Sequence, residues 1–261
     1  MEKKRKTGIV LISALLLGVL AFTGCPTESD PEPGSGLDWG KSANWQSEGD
    51  FELGTAAADI DGTNGRYQET ALGNLIADGI AEYARYSSGE KVDFALHNGQ
   101  DLKATKLEAG KITNTQVYGT IGNDTLYLVT YTGAEVTTLI NTFVNSSSGE
   151  KWSANCVVLV SKEVSYSVTL DSDTTKPPKA TKIKVNGTDI DTEKTYLVAV
   201  GNFIGATLAT ANRFPEGTDK KDLSPTKLSE AVAQYIYIQG TITPQAVDRI
   251  TGEVPVISAT N

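Results

Sequence analysis

From Glu69 onward, Leu72, Leu75, Ile76, Ile80 and Tyr83 recur at helical spacing until Ser87-Ser88-Gly89 breaks the pattern, so a first helix is predicted there. Val92 to Leu96 reads as a strand that ends at Asn98-Gly99, where the chain must turn. Thr125 to Tyr131 predicts another strand. Directly after it, Thr132-Gly133-Ala134-Glu135 has capping-box spacing ahead of Val136, Leu139, Ile140 and Phe143, a second helix. Val157 to Ser161, Val164 to Leu170, Lys182 to Val185 and Tyr196 to Val200 read as further strands, with Asn186-Gly187 as a tight-turn signal. Ser224-Pro225 offers a cap and first turn for a last helix, which carries Leu228, Val232, Tyr235 and Ile236 on one face and has Gly240 just past its end. Helices on both sides of a strand-rich middle predict an α+β domain, a mixed β-sheet with flanking helices.

The N-terminal pattern is of a different kind. Lys3, Lys4, Arg5 and Lys6 precede an apolar run from Ile9 to Phe22, and Phe22-Thr23-Gly24-Cys25 resembles a bacterial lipobox. The run is short for a bilayer span, so residues 1–24 read as a lipoprotein signal peptide and Cys25 as the lipidated first residue of the mature chain. Ordinary cleavage next to Cys25 is the alternative. The expected location is an exported bacterial lipoprotein anchored at the cell membrane or outer membrane, facing the periplasm or the surface. Pro26 to Gly36 holds almost nothing that can be buried and reads as a flexible acidic tether, with residues 25–49 as tether and lead-in. Trp39 and Trp45 either pack a leading strand or form exposed contacts. One domain is expected over 50–255, with a tail at 256–261.

Composition narrows the function classes. An apolar content of 39% suits a globular domain, and the net charge of −9 becomes −12 once residues 1–24 are removed, with 19 basic against 31 acidic side chains. Nucleic acid and anionic headgroups are poor partners for such a surface. Cys156 sits in an apolar run and reads as a small buried hydrophobe. His97 is the one histidine, too few for a two-metal centre and unaccompanied by a nucleophile motif. Beside Asn98-Gly99 it is either a ligand contact or a strand-end histidine. Asp59, Asp61, Asp171 and Asp173 lack the spacing of a calcium loop and read as acidic turn residues. Asn186-Gly187-Thr188 is explained by a hairpin turn without glycosylation. No cofactor motif is present.

Arg66-Tyr67-Gln68-Glu69-Thr70-Ala71-Leu72-Gly73-Asn74-Leu75-Ile76-Ala77-Asp78 is similar to the R-x-x-E-T-x-L-G-N-L-x-A-D opening of the C-terminal, substrate-binding domain of the bacterial periplasmic 5′-nucleotidase and UDP-sugar hydrolase family. Further anchors follow in the family's order: Asp93 leading to Asn98-Gly99, Ala109 to Thr113, Val117-Tyr118, Thr132-Gly133, Val185 to Gly187, Tyr196 to Ala199, Asn202-Phe203 and Arg249-Ile250. The resemblance covers about Asp50 to Pro255.

It implies a ligand site in which a nucleotide base lies between two aromatic rings and basic groups hold its polar end. Carried over residue by residue, that site comprises Arg66, Asn98, Gly99, Lys103 and Phe203. Three departures alter it. Gln100 and Asp101 stand where the family's motif has glycines, adding bulk and a charge that repels phosphate. Gly122 replaces the second ring, and Asp124 replaces an asparagine. The Ile204 to Thr210 run takes the place of a polar loop and reads as helix-like.

The family's chemistry belongs to an N-terminal metallophosphatase domain, for which this chain has no room. The expected function is a stand-alone, non-catalytic lipoprotein that binds a nucleotide, a nucleoside or an envelope protein. The alternative is the substrate-binding half of a split 5′-nucleotidase completed by a separate metallophosphatase chain.

Overall fold

Alternation along one strand sets the architecture: Leu126 and Leu128 enter one core, whereas Val129 and Tyr131 enter another on the opposite face. In the computed structural model, residues 50–145, 156–173, 175–206 and 214–255 are described, all within the unit Pro33–Asn261. The signal segment, Cys25, the tether, Trp39, Trp45 and the 256–261 tail lie outside the described residues.

The first half of the domain contains β1 (Glu52–Ala56), β2 (Ile60–Asp61), α1 (Ala71–Ser88), β3 (Phe94–Asn98), a 3-10 turn (Gly99–Asp101), β4 (Lys106–Leu107), β5 (Gly110–Thr113) and α2 (Asn114–Tyr118). Then come β6 (Thr125–Thr132), α3 (Gly133–Val144), β7 (Val158–Val160), β8 (Val164–Thr169), β9 (Lys179–Val185) and β10 (Thr188–Asp189). The last elements are β11 (Thr195–Gly201), α4 (Asn202–Gly205), β12 (Thr218–Lys227), α5 (Leu228–Gln239), β13 (Thr241–Ile242) and β14 (Ile250–Thr251).

The central sheet has the order β12-β6-β11-β3-β7. Only β3 and β11 run parallel in it, with Phe94 opposite Val198 and Leu96 opposite Val200; the other neighbours are antiparallel. One face packs Phe94, Leu96, Val198 and Val200 against α3 and the second sheet, β10-β9-β8-β14. The other packs Ala95, Leu126, Leu128 and Ala199 against α1 and α5. The α+β class with a mixed sheet is therefore what the chain adopts. No helix among the described residues is long and apolar enough to cross a membrane.

Local signals place most of these elements. Thr70 caps α1 by accepting from the Gly73 N–H, and Gly89 ends it in the left-handed region at φ 67°. The Thr132–Glu135 capping box starts α3 in both directions. Asn186 and Gly187, at φ 50° and 76°, make the turn between β9 and β10. Gly79 lets α5 come close to α1, since a Cβ there would lie 3.2 Å from the Val232 Cα.

The family-like opening motif is mainly a clamp on the far end of the chain. Glu69 accepts from the backbone N–H groups of Asp248 (3.2 Å) and Ile250 (2.7 Å) and from the Asn74 side chain (2.7 Å). Asn74 also donates to the Ala246 carbonyl. Asp78 accepts from the two terminal N–H groups of the Arg249 guanidinium and from the Lys162 backbone N–H. The Glu69 and Asp78 carboxylates are themselves buried, where an unpaired carboxylate is costly, so these side chains hold β14 against α1.

One sequence expectation is corrected. Ser224 and Pro225 do not open the last helix; they lie in β12, and α5 begins at Leu228 after Lys227. β12 is an edge strand whose pairing with β6 is irregular between Asp222 and Lys227, the kind of position that tolerates a residue without an N–H. The Asp222 carboxylate accepts from both the N–H and the hydroxyl of Ser224, so that hydroxyl is already engaged. The predicted acidic turn residues do what their type suggests: Asp61 accepts from the Thr63 N–H, Asp171 from Asp173 and Asp173 from Thr175.

Candidate functional site

The carboxyl ends of β3 and β11 meet at one edge of the central sheet, and the chain enters β6 and β7 at the same edge. The order of strands therefore sets side by side the segments that sequence reasoning singled out: Asp124 before β6, Asn202-Phe203 after β11, Asn98-Gly99 after β3, and Cys156-Val157 before β7. Strand ends are where a backbone leaves its ladder and side chains become available to ligands.

Asn98 and Gly99 have structural tasks here. The Asn98 side-chain oxygen accepts from the Gln100 N–H (2.9 Å), which closes the 3-10 turn, and from the Cys156 thiol (3.4 Å). Gly99 donates to the Val157 carbonyl, and a Cβ at Gly99 would lie 2.5 Å from that oxygen. The glycine is required by the close approach of the chain entering β7. Arg66 joins the same junction through its carbonyl, which accepts from the Val157 N–H. Its guanidinium lies on the surface, 5.4 Å from the centre of the Tyr67 ring. Lys103 is exposed too, its backbone held by the Thr120 carbonyl.

Phe203 stands in the first turn of α4, half-buried. Its N–H donates to the Asp124 carboxylate (3.1 Å). Part of the ring meets Phe214 edge-on at 5.7 Å and Phe143 at 6.5 Å. Asp124 is thus a cap for the turn that presents Phe203, a role invisible in the sequence, where it counted only as a lost asparagine. Residues 207–210 of the helix-like run lie outside the described residues; Ile204 and Gly205 complete α4.

Two half-buried carboxylates, Asp101 and Asp124, lie at this edge. Asp101 lies across Gly122, where an added Cβ would be 3.1 Å from the carboxylate carbon. The two departures from the family pattern are therefore one packing arrangement: with no side chain at 122, the carboxylate takes the space. Burial pushes the Asp101 carboxyl above its usual range, opposed by Lys103.

His97 is sealed in, 1% exposed, so it is a strand-end histidine and not an open ligand contact. Burial lowers its pKa to about 4 against the pull of Asp124, which keeps the imidazole neutral at pH 7. Its Nε2 has no hydrogen-bond partner and lies 4.0 Å from an Asp101 oxygen. Cys156 is buried, and burial raises its thiol to about 12, which suits a core residue. Among the described residues no group of three or more His, Cys, Asp or Glu side chains could hold a metal ion.

A separate polar cavity of about 230 Å³ lies beside α1, α5 and β13, lined by Asp78, Tyr235, Gln239 and Gln245. Its one carboxylate already serves Arg249 and none of the five carried-over residues lines it, so the strand edge remains the candidate site.

Comparison with known proteins places this geometry. The family model described as 5′-nucleotidase, C-terminal domain, matches residues 51–210. The chain is 30% identical over 190 residues to the endonuclease YhcR of Bacillus subtilis, covering 70% of this chain and 14% of that protein. It is 27% identical over 231 residues to the trifunctional nucleotide phosphoesterase protein YfkN of the same organism, covering 86% and 15%. The chain thus spans a small fraction of the length of these relatives. Among solved structures, the 5′-nucleotidase precursor of Thermus thermophilus superposes with a TM-score of 0.61 at 22% identity, over 77% of this chain and 39% of that one, a likeness of fold.

Proposed function

The chain belongs to the 5′-nucleotidase C-terminal domain family, and from that premise we propose that it is a ligand-binding domain without catalytic machinery of its own, carried outside the cytoplasm by lipid on Cys25. The ligand is a nucleoside or nucleotide. The observation that carries this reading is the placement of Phe203 and the Asn98-Gly99 turn just past the ends of the paired strands β11 and β3, with the Phe203 backbone held by Asp124. An aromatic ring stacks on any base, which gives affinity without strong base preference. Arg66 and Lys103 stand at the rim as exposed cations for the polar end of the ligand.

Calorimetric titration of the full-length chain with adenosine, AMP and UDP-glucose tests this directly. Binding should appear with at least one of them, and Phe203→Ala should weaken it by about 1 to 3 kcal/mol, as loss of a stacking ring does. No heat and no thermal shift with all three would discard the nucleotide reading in favour of an envelope protein partner. Anchoring is checked separately: Cys25→Ser should abolish incorporation of labelled fatty acid and release the protein from the membrane fraction.

A second reading is favoured by the small share of YfkN, a nucleotide phosphoesterase, that this chain matches. In it, the domain supplies substrate binding to a separate metallophosphatase chain. Co-purification with such a chain, together with phosphate release from AMP by the mixture alone, would establish it; two chains that elute apart and show no added activity would remove it.

A further inference from the structure

We propose that Asn186 is a site of spontaneous covalent modification, its side-chain amide converting through a cyclic imide to aspartyl and isoaspartyl forms, and that the fold directs this chemistry to one Asn-Gly step of three. The chain carries the pair at Asn64-Gly65, Asn98-Gly99 and Asn186-Gly187. Glycine after asparagine leaves the attacking backbone nitrogen unshielded by a side chain, so as sequence all three are open to the reaction.

In the reaction the Gly187 backbone nitrogen gives up its proton and bonds to the Asn186 Cγ, the C–N bond of the side-chain amide breaks, and ammonia leaves with that proton. Water then opens the imide at either carbonyl, which leaves a carboxylate on the side chain or a backbone routed through it. Water is the only co-reactant. The attack needs a glycine nitrogen free of hydrogen bonds and a backbone able to rotate.

The fold withholds both from two of the steps. The Gly99 N–H donates to the Val157 carbonyl, and Asn98, 6% exposed, has its side-chain oxygen engaged by the Gln100 N–H and the Cys156 thiol. Gly65 is buried and its N–H donates to the Gly62 carbonyl, whereas the Asn64 carbonyl accepts from the N–H groups of Tyr67 and Gln68. Asn186 and Gly187 are both exposed, and a Cβ on Gly187 would meet nothing within 4 Å. Among the described residues neither the Gly187 N–H nor the Asn186 side chain has a hydrogen-bond partner. On the far side of the turn, β10 is a two-residue edge strand, Thr188 opposite Val185 and Asp189 opposite Lys184, followed by one bond from the Ile190 N–H to the Ile183 carbonyl. So short an edge opens locally and lets the turn rotate while the core stays folded. The aspartyl product keeps the turn, because aspartate tolerates the left-handed region. The isoaspartyl product adds a backbone atom to a turn whose length sets the register, and so releases β10.

The test is incubation of the full-length chain in warm, mildly alkaline buffer made with heavy-oxygen water, native and in urea, followed by peptide-level mass spectrometry of the three Asn-Gly peptides. In the native protein Asn186 should gain labelled oxygen at least roughly tenfold faster than Asn64 and Asn98, since packed segments open far more rarely than an edge. In urea the three rates should fall within about threefold of one another, because the protecting contacts are gone. Native conversion of Asn64 or Asn98 as fast as that of Asn186 would overturn the proposal. The same tenfold order in urea would overturn it too, since flanking residues and not the fold would then make the choice. Asn186→Asp should keep the native thermal midpoint, as the aspartyl product does; a large loss of stability would contradict the tolerance of the turn.

Discussion

The Arg249 guanidinium closes on the Asp78 carboxylate through two hydrogen bonds of 2.8 Å across 171 residues of chain. Both side chains are less than a tenth exposed, and Arg249 also donates to the Val160 carbonyl at the end of β7. The pair joins α1, β7 and the last strand at one point.

Breaking that pair leaves an uncompensated buried charge. Arg249→Ala should destabilise the fold by about 3 to 5 kcal/mol, measured by urea denaturation, whereas the double variant Asp78→Leu with Arg249→Met should lose much less than the sum of the two single changes. Strict additivity in the cycle would show that the two groups do not depend on each other.

Gly99→Ala should cost about 1 to 3 kcal/mol in the same assay, the usual range for forced overpacking. The physical reason is the 2.5 Å approach of its missing Cβ to the Val157 carbonyl. A neutral substitution would mean that the β7 entrance yields freely.

His97 makes stability depend on pH with a defined sign. Its folded pKa of about 4 lies below the ordinary 6.5, so between those values the unfolded chain binds a proton that the folded chain does not. Stability from this group is complete above pH 6.5, falls as the pH drops through the window and levels off below about pH 4, a loss of roughly 3 kcal/mol in all. His97→Gln compared with wild type across pH 4 to 7 isolates the effect; identical pH profiles for the two proteins would refute it.

Cys156 should resist alkylation in the native state. Burial raises its pKa to about 12, leaving almost no thiolate at pH 8. Peptide-level mass spectrometry after iodoacetamide should find Cys156 unmodified in the folded protein and labelled in urea; rapid native labelling would contradict the buried placement.

Legibility in the sequence followed the range of each signal. α1 and α3 were readable because caps and apolar spacing act within a few residues, as Thr70, Gly89 and the Thr132–Glu135 box illustrate. β12 was not, because a charged edge strand owes its conformation to pairing with β6 and carries no apolar alternation. At the candidate site, Phe203, Arg66 and Lys103 could be named from motif position alone. The contact of Asp101 with Gly122 could not, since each looked like an independent loss.

By itself the sequence determined the helices and strands with strong local periodicity, the turn at Asn186-Gly187, the α+β class and the resemblance that family comparison bears out. Tertiary structure alone decided that Glu69 and Asp78 close on Ile250 and Arg249, that Gly99 serves the approach of Val157, and that Asp124 holds Phe203. Periodicity and capping act within a few residues and are written in neighbouring letters; these contacts span tens to nearly two hundred residues and exist only after the sheet has ordered its strands.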